Sequence, residues 1–308
     1  RGGRRARVEY ENVFALGPLC GIEDADAVLT ASARCDELGL DTISTGGSIA
    51  FLMECVERGL VDGAIGPAGR VLRFGDGAAV LDAIAAIPGR AGLGGLLALG
   101  SRRAAERIGG GSPGFAPHVK GLELPGYDPR SLHAMALGLA VGTRGADHNR
   151  SGAYEADFSG DVDRRRGGPE HAAAAIAAED RSALLDSAIL CKFLRGVFTD
   201  LDAEAAAMLA AVTGWDVTAD ELRTTARRVV NARKCVNQRE GWTRAEDTLP
   251  PRLLADGPES PGGPSLSRDR LEAMIAAYYR GRGWTEDGRV PAALRSELRL
   301  EDPAFGIP

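Results

Sequence analysis

The chain has 308 residues, a formal net charge of −6 and only 5% aromatic residues. An acidic, aromatic-poor chain lacks the basic and stacking surfaces that nucleic acids and anionic membranes require. The longest apolar stretch, 78–100, is interrupted by Asp82, Pro88 and Arg90, so it falls short of the ~20 residues of a membrane span. The five scattered cysteines favour a reducing cytoplasm over a disulfide framework.

The first part of the chain is predicted to be helical, with tight glycine turns. Apolar residues at helical spacing predict helices at 24–38, 48–58, 78–87 and 93–108. Gly39 and Gly59 stand where a left-handed residue closes a helix, and Ser44 or Thr45 is expected to cap the second one. A glycine-rich loop is expected at 63–76. The Gly/Pro cluster at 109–113 is the expected domain boundary.

The second part is predicted to be a further helical domain, which gives boundaries of 1–113 and 114–308. A short extended piece is expected at 119–125 and a polar loop at 142–150. Asp202 and Thr218 are plausible caps, and 238–264 is expected to be loop. Helices are predicted at 129–141, 172–186, 190–197, 202–212, 218–233, 268–279 and 291–298. The predicted fold class is therefore all-α and multihelical, with two helical domains.

Two distant hexapeptides share one pattern, an aspartate followed four residues later by leucine. They are Asp36–Asp41 and Asp186–Cys191, the first ending in a carboxylate and the second in a thiol. A carboxylate can accept two hydrogen bonds from an aminopyrimidine edge, and free N–H groups at a turn can bind an anionic oxygen. Helix-end solvation explains either aspartate alone, and Cys191 alone reads as a buried helical cysteine. Two copies suggest two similar turns that face one bulky ligand.

The pair resembles the twin pterin-binding turns of the aldehyde ferredoxin oxidoreductase family, the tungsten (sometimes molybdenum) bis-pterin enzymes. Other segments are similar to family signatures: Tyr10-Glu11, 40–46, 120–125, Arg144-Gly145 with His148, 231–241, 249–252, 278–279 and 282–284. The resemblance implies the family's two C-terminal helical domains, packed around a pterin–metal cofactor site. It also implies that the chain is a fragment, without the N-terminal β-rich domain.

The resemblance implies roles for particular residues. Glu11 and His148 would be catalytic, although local sequence alone favours a surface glutamate and an exposed loop histidine. Cys191 would ligate a [4Fe–4S] cluster as a thiolate. The cofactor-binding set implied is Asp36, Gly39, Leu40, Asp41, Arg150, Asp186, Leu190 and Cys191. His118, His133 and His171 are interpreted as structural.

The implied reaction is the oxidation of an aldehyde plus water to a carboxylic acid, with electrons passed through [4Fe–4S] to ferredoxin. The implied cofactors are tungsten-bis-molybdopterin, or its molybdenum analogue, and the cluster. Two alternatives stay open: a same-fold relative that reduces an aromatic-ring thioester, and a non-catalytic truncated remnant. The oligomeric state, homodimer or otherwise, and the particular aldehyde are also open.

Two departures from the family pattern bear on these expectations. The three other cluster cysteines, which lie just before the Tyr-Glu segment in the family, are not in this chain. Ile189 stands where the second turn usually has glycine, and a β-branched residue disfavours positive φ. The isolated fragment is therefore expected to be inactive, since it should not hold its cluster or tungsten stably alone.

Overall fold

A computed structural model describes residues 8–194, 196–254 and 266–301. The chain forms two compact units, one comprising residues up to Asp128 with Pro250–Arg252 and the other comprising the remainder. The predicted boundary at 113/114 lies earlier than this division. The residues after it stay with the first unit because the buried carboxylate of Glu123 accepts hydrogen bonds from Ser101 N and Oγ, at 2.7 and 2.8 Å. The assignment of 1–113 and 114–308 to family domains stays a prediction.

The first unit is built around one helix that is buried on nearly all sides. Its helices are α1 (Tyr10–Leu16), α2 (Ala25–Leu38), α3 (Thr42–Glu57), α4 (Gly77–Ala86), α5 (Gly92–Leu97) and α6 (Gly100–Ile108). Its hairpins pair β1 (Ala64–Ile65) with β2 (Arg70–Val71), and β3 (His118–Val119) with β4 (Leu122–Glu123). The apolar α3 crosses α1 closely, since a Cβ added at Gly46 would lie 2.2 Å from the carbonyl oxygen of Ala15.

Two helix predictions for this unit were wrong in their limits. The helix expected at 48–58 begins at Thr42, because Asp41 rather than Ser44 or Thr45 is its N-cap. The Asp41 carboxylate accepts the N–H of Ser44 at 2.7 Å. The single helix expected at 93–108 is two helices, since Gly100 at the junction has φ 75°. The predicted α2 is confirmed, with Asp24 as its cap.

The second unit is also helical. Its elements are α7 (His133–Val141), α8 (His148–Ser151), α9 (Tyr154–Ser159), α10 (Glu170–Ser187), α11 (Leu201–Thr213), α12 (Ala219–Arg239), α14 (Arg268–Arg282) and α15 (Ala292–Glu297), while the short α13 (Pro251–Leu254) begins in the first unit. Every residue of α7 is buried. α10 packs against α7, α12 and α14, so it is the central helix of this unit.

Several limits in this unit differ from prediction. The helix expected at 190–197 is reduced to a single 3-10 turn at Lys192–Leu194, because Phe193 and Val197 are exposed and gain no packing from a longer helix. Asp200, not Asp202, caps α11, whereas the Thr218 cap of α12 is confirmed. α12 continues to Arg239, into the predicted loop. Within that loop, residues 255–265 lie outside the described part of the chain.

The all-α, multihelical fold class is confirmed, since the strands seen in the described ranges are two-residue hairpin arms. Among the described helices, none combines the length and the apolar character needed to cross a lipid bilayer.

The buried His133 predicts an acid-sensitive fold. Its Nδ1 accepts the N–H of Gly167 at 2.8 Å, and burial lowers its pKa to about 4. Because the unfolded chain binds this proton near pH 6.5, stability is complete above that pH and is lost as the pH falls toward about 4. Over this pH range, the wild-type protein should lose roughly 2 kcal/mol more unfolding free energy than the His133→Gln variant, whose glutamine does not titrate. Denaturant titrations at several pH values measure the difference, and parallel pH profiles would contradict the expectation.

Candidate functional site

The first predicted turn closes α2 through two backbone hydrogen bonds. Gly39 has φ 66° and donates its N–H to Asp36 O at 3.2 Å, while Leu40 donates to Cys35 O at 2.9 Å. The side chains of Asp36 and Asp41 are exposed, and Leu40 packs against the core of the first unit. The turn therefore presents two carboxylates to solvent from a backbone held by the helix end.

The second turn closes α10 in the same way. Ile189 N donates to Asp186 O at 3.2 Å and Leu190 N donates to Leu185 O at 2.8 Å. Ile189 adopts φ 57°, the left-handed conformation that Gly39 has in the first turn. The two segments therefore share a local backbone geometry as well as a sequence pattern.

The backbone closure alone does not mark a binding site. The same pair of hydrogen bonds ends helices at Gly59, Gly241 and Gly283. At those three ends, Val56, Gln238 and Arg280 occupy the position that Asp36 and Asp186 hold in the twin turns. The carboxylate therefore distinguishes the twin turns from an ordinary helix end.

Ile189 carries a conformational cost that glycine would remove. Its side chain is 93% exposed, so Ile189→Gly loses little packing and relieves the left-handed strain. The net gain in unfolding free energy should be about 0.5–1 kcal/mol, after the added flexibility of the unfolded chain is counted.

The reciprocal variant is Gly39→Ala, which should lose about 1 kcal/mol. A Cβ at Gly39 meets no atom within 4 Å, so the loss is conformational rather than steric. Urea denaturation measures both variants. A destabilised Ile189→Gly protein would contradict this interpretation.

Glu11 is the carboxylate at the start of α1, and it is half-buried. Its Oε2 accepts the N–H of Gly126 at 2.8 Å. Burial raises the pKa of Glu11, the Gly126 hydrogen bond lowers it, and the negative charge of Asp41 raises it again. The net direction is upward, which suits a proton-transfer group. The structure thus places Glu11 within electrostatic range of the first turn.

His148 and Arg150 belong to the short helix α8 rather than to an open loop. The Asp147 carboxylate accepts the N–H groups of Asn149 and Arg150, both at 3.0 Å, and so fixes the start of this helix. His148 is buried, with its ring centroid 5.7 Å from that of Tyr154. Arg150 Nη1 donates to Asp186 Oδ2 at 2.8 Å. Two predicted cofactor residues are therefore in direct contact within the second unit.

Sequence reasoning missed two further cations that interact electrostatically with Asp186. Lys192 Nζ donates to Asn149 O at 2.7 Å and lies 3.6 Å from Asp186 Oδ1. Burial lowers the pKa of Arg233, the charge of Arg150 lowers it further, and the charge of Asp186 raises it. The position of Lys192 directly after Cys191 could have signalled its role, and Arg233 on α12 lies in the family-like segment 231–241, to which no role was attached.

Cys191 is exposed, whereas the other four cysteines are buried. Across residues 8–194, 196–254 and 266–301, no three His, Cys, Asp or Glu side chains gather into a metal site. One accessible thiol can supply a single cluster ligand. The donor set fits a pterin in each unit, because the carboxylates of Asp36 and Asp186 keep lone pairs for ring N–H groups and the Arg150 side chain is 41% exposed.

His133 and His171, which were predicted to be structural, contact backbone groups. His133 and His171 are fully buried, and each ring joins two backbone segments through its two nitrogens. Within the first unit the structure brings Glu11 together with Asp41, and within the second it joins Arg150, Lys192 and Asp186. Convergence of the two sets on one ligand stays a prediction.

Comparison with known proteins identifies the class of protein to which this fold belongs. A family profile described as "Aldehyde ferredoxin oxidoreductase, domains 2 & 3" matches residues 2–300. The chain therefore belongs to the aldehyde ferredoxin oxidoreductase family, in the part that comprises domains 2 and 3.

Its relatives include the tungsten-containing aldehyde ferredoxin oxidoreductases of Thermococcus kodakarensis and Pyrococcus furiosus, each 38% identical over 301 residues. Each match covers 96% of this chain and 48% of the relative, so the chain spans about half the length of these curated relatives. An "Aliphatic sulfonate oxidoreductase, WOR-like subunit" of P. furiosus is 28% identical over 306 residues, covering 95% of this chain and 45% of that protein.

Among solved structures, the fold is similar to the "Active site complex BamBC of Benzoyl Coenzyme A reductase in complex with 1,5 Dienoyl-CoA". The TM-score is 0.78 at 18% identity, with 97% of this chain and 50% of that chain covered. At this identity the likeness concerns the fold alone.

Proposed function

We propose that this chain supplies the two helical domains of a tungsten, or molybdenum, bis-pterin enzyme that oxidises an aldehyde plus water to a carboxylic acid. The observation that carries the proposal is the pair of like helix ends, each with an aspartate at the same position, in a chain of this family. Each end would hold one pterin, and the metal that the pterins carry would supply the oxo chemistry.

The first turn binds its pterin through the exposed Asp36 carboxylate, which accepts ring N–H groups, with Gly39 and Leu40 setting the backbone and Asp41 at the next helix start. The second turn uses Asp186 and Leu190 in the same manner. Arg150 adds a guanidinium for the pterin phosphate. Its hydrogen bond to Asp186 links the phosphate-binding residue to the ring-binding residue. Lys192 completes the positive surface beside that carboxylate.

Glu11 and His148 act on the substrate rather than on the cofactor's pterin rings. Glu11 accepts a proton from the attacking water, and its raised pKa makes it a stronger base than an ordinary glutamate. His148 donates a hydrogen bond to the aldehyde oxygen and stabilises the charge that develops there.

Cys191 would be one of four thiolate ligands to a [4Fe–4S] cluster, and that cluster would supply electron transfer toward ferredoxin. The other three cysteines and the β-rich domain belong to an N-terminal portion of the full-length protein, in keeping with the coverage of its relatives. The compartment is a reducing cytoplasm, in keeping with five cysteines that form no disulfide.

Metal analysis and turnover of the full-length protein test this function. We expect tungsten or molybdenum with about four irons per chain, as one [4Fe–4S] cluster requires, together with aldehyde-dependent reduction of a viologen dye. Reduction of an aromatic-ring thioester instead would identify the alternative chemistry, and the absence of both metals would leave a non-catalytic helical protein.

A further inference from the structure

The backbone N–H and carbonyl oxygen of Gly126 are both hydrogen-bonded to neighbouring side chains of α1. Its N–H donates to Glu11 Oε2 at 2.8 Å, and its carbonyl oxygen accepts the hydroxyl of Tyr10 at 2.5 Å. Residues at i and i+1 of a helix normally point in different directions. Here one glycine on a separate loop draws both side chains to the same place.

The space around Gly126 leaves no room for a side chain. A Cβ added there would lie 2.8 Å from Phe14 Cγ and 2.9 Å from Tyr10 Cε1, closer than real Cβ contacts. The Tyr10 ring stacks on Phe14, with centroids 6.5 Å apart, and tilts against Tyr127 at 5.5 Å. Yet Tyr10 is 58% exposed, so this aromatic group forms a surface beside the Glu11 carboxylate.

We propose that Gly126 is a positioning residue: its backbone N–H and carbonyl oxygen hold the Glu11 carboxylate and the Tyr10 ring side by side, in the orientation that proton transfer to the carboxylate requires. The proposal rests on the proposed function in taking Glu11 as the proton acceptor. It adds that this orientation is set by a backbone group on the loop after β4, which only a residue without a Cβ can bring so close to Tyr10 and Phe14.

The Gly126 N–H strongly affects Glu11, because the other groups around that carboxylate raise its pKa. Burial and the negative charge of Asp41, at the start of α3, both raise the pKa of Glu11. The N–H of Gly126 is the contact that lowers the pKa of Glu11 against burial and Asp41. Moving the peptide away would therefore raise the pKa of Glu11 and loosen its carboxylate.

The test compares Gly126→Ala with Tyr10→Phe and with the control Gly114→Ala in the full-length protein. Tyr10→Phe removes one hydrogen bond without adding volume, so it remains informative where Gly126→Ala fails to fold. Gly114 belongs to the same unit, and a Cβ there meets nothing within 4 Å. The readouts are the pH dependence of kcat and the pH titration of the Glu11 carboxyl by 13C NMR, with Glu11→Gln to assign its signal.

We expect Gly126→Ala to lower kcat by about 10- to 100-fold, as displacement of a catalytic group does, and to move the Glu11 titration to higher pH. Tyr10→Phe should lower kcat by a smaller factor, and Gly114→Ala should match wild type. An unchanged Glu11 titration in a folded Gly126→Ala protein would overturn the proposal. A shifted titration with unchanged kcat would instead retain the role of Gly126 as a clamp and overturn the catalytic role of Glu11, so the two failures are distinguishable.

Discussion

Replacing Glu11 with glutamine is expected to lower the kcat of aldehyde oxidation by about 10²- to 10⁴-fold, the usual contribution of a general base. Glutamine keeps an acceptor for the Gly126 N–H and nearly the same volume, so the start of α1 should survive. The carboxylate that accepts the proton is lost. In the wild-type protein, activity should fall on acidification at a higher pH than an ordinary glutamate would give, because burial raises the pKa of Glu11.

The matched control is Glu9→Gln, which changes an exposed carboxylate two residues earlier on the same helix end. It should retain near wild-type kcat. Metal and pterin contents of the Glu11→Gln protein should also equal those of wild type, since Glu11 is assigned no cofactor contact. A Glu11→Gln protein that keeps most of its activity would remove Glu11 from the chemistry.

Replacing Arg282 with methionine is expected to cost about 3–5 kcal/mol of unfolding free energy, because it leaves the buried Glu179 carboxylate without its cationic partner. The guanidinium is 3% exposed and joins Glu179 at 2.5 Å and Asp180 at 2.6 Å. Its Nε donates to the Tyr278 hydroxyl at 3.0 Å. Burial opposes the charge, but Tyr278, Glu179 and Asp180 outweigh it and hold the pKa of Arg282 above its usual range.

This network ties α14 to α10, the helix that ends in the second turn. Loss of Arg282 should therefore also reduce cofactor retention. Arg280→Met is the control, since Arg280 lies on the same helix and is exposed. Denaturant unfolding measures both variants. Equal stability of the two variants would show that the buried pair contributes little.

The sequence predicted local features well wherever one residue determines them. Asp24 and Gly39 delimit α2 because a cap and a left-handed residue act within one turn. The start of α3 was harder to predict, since Asp41, Ser44 and Thr45 can each serve as an N-cap. Only the burial of residues 45–47 selects Asp41.

The sequence did not predict contacts between residues that are far apart in the chain. Arg282 and Tyr278 stood out only as part of a family signature, with no role attached, because their partners on α10 are about a hundred residues away. The sequence does not indicate the role of Gly126, because residue type does not reveal a hydrogen bond made by the backbone N–H. The helix predicted at 190–197 failed for the opposite reason, since its apolar spacing is not matched by burial.

A crystal structure of the full-length protein purified with its cofactors would test most directly whether the two helix ends hold one ligand. We expect a pterin ring against each of Asp36 and Asp186, and the Cys191 sulfur on iron. Pterins bound away from both aspartates, or a cluster without Cys191, would contradict the proposed site.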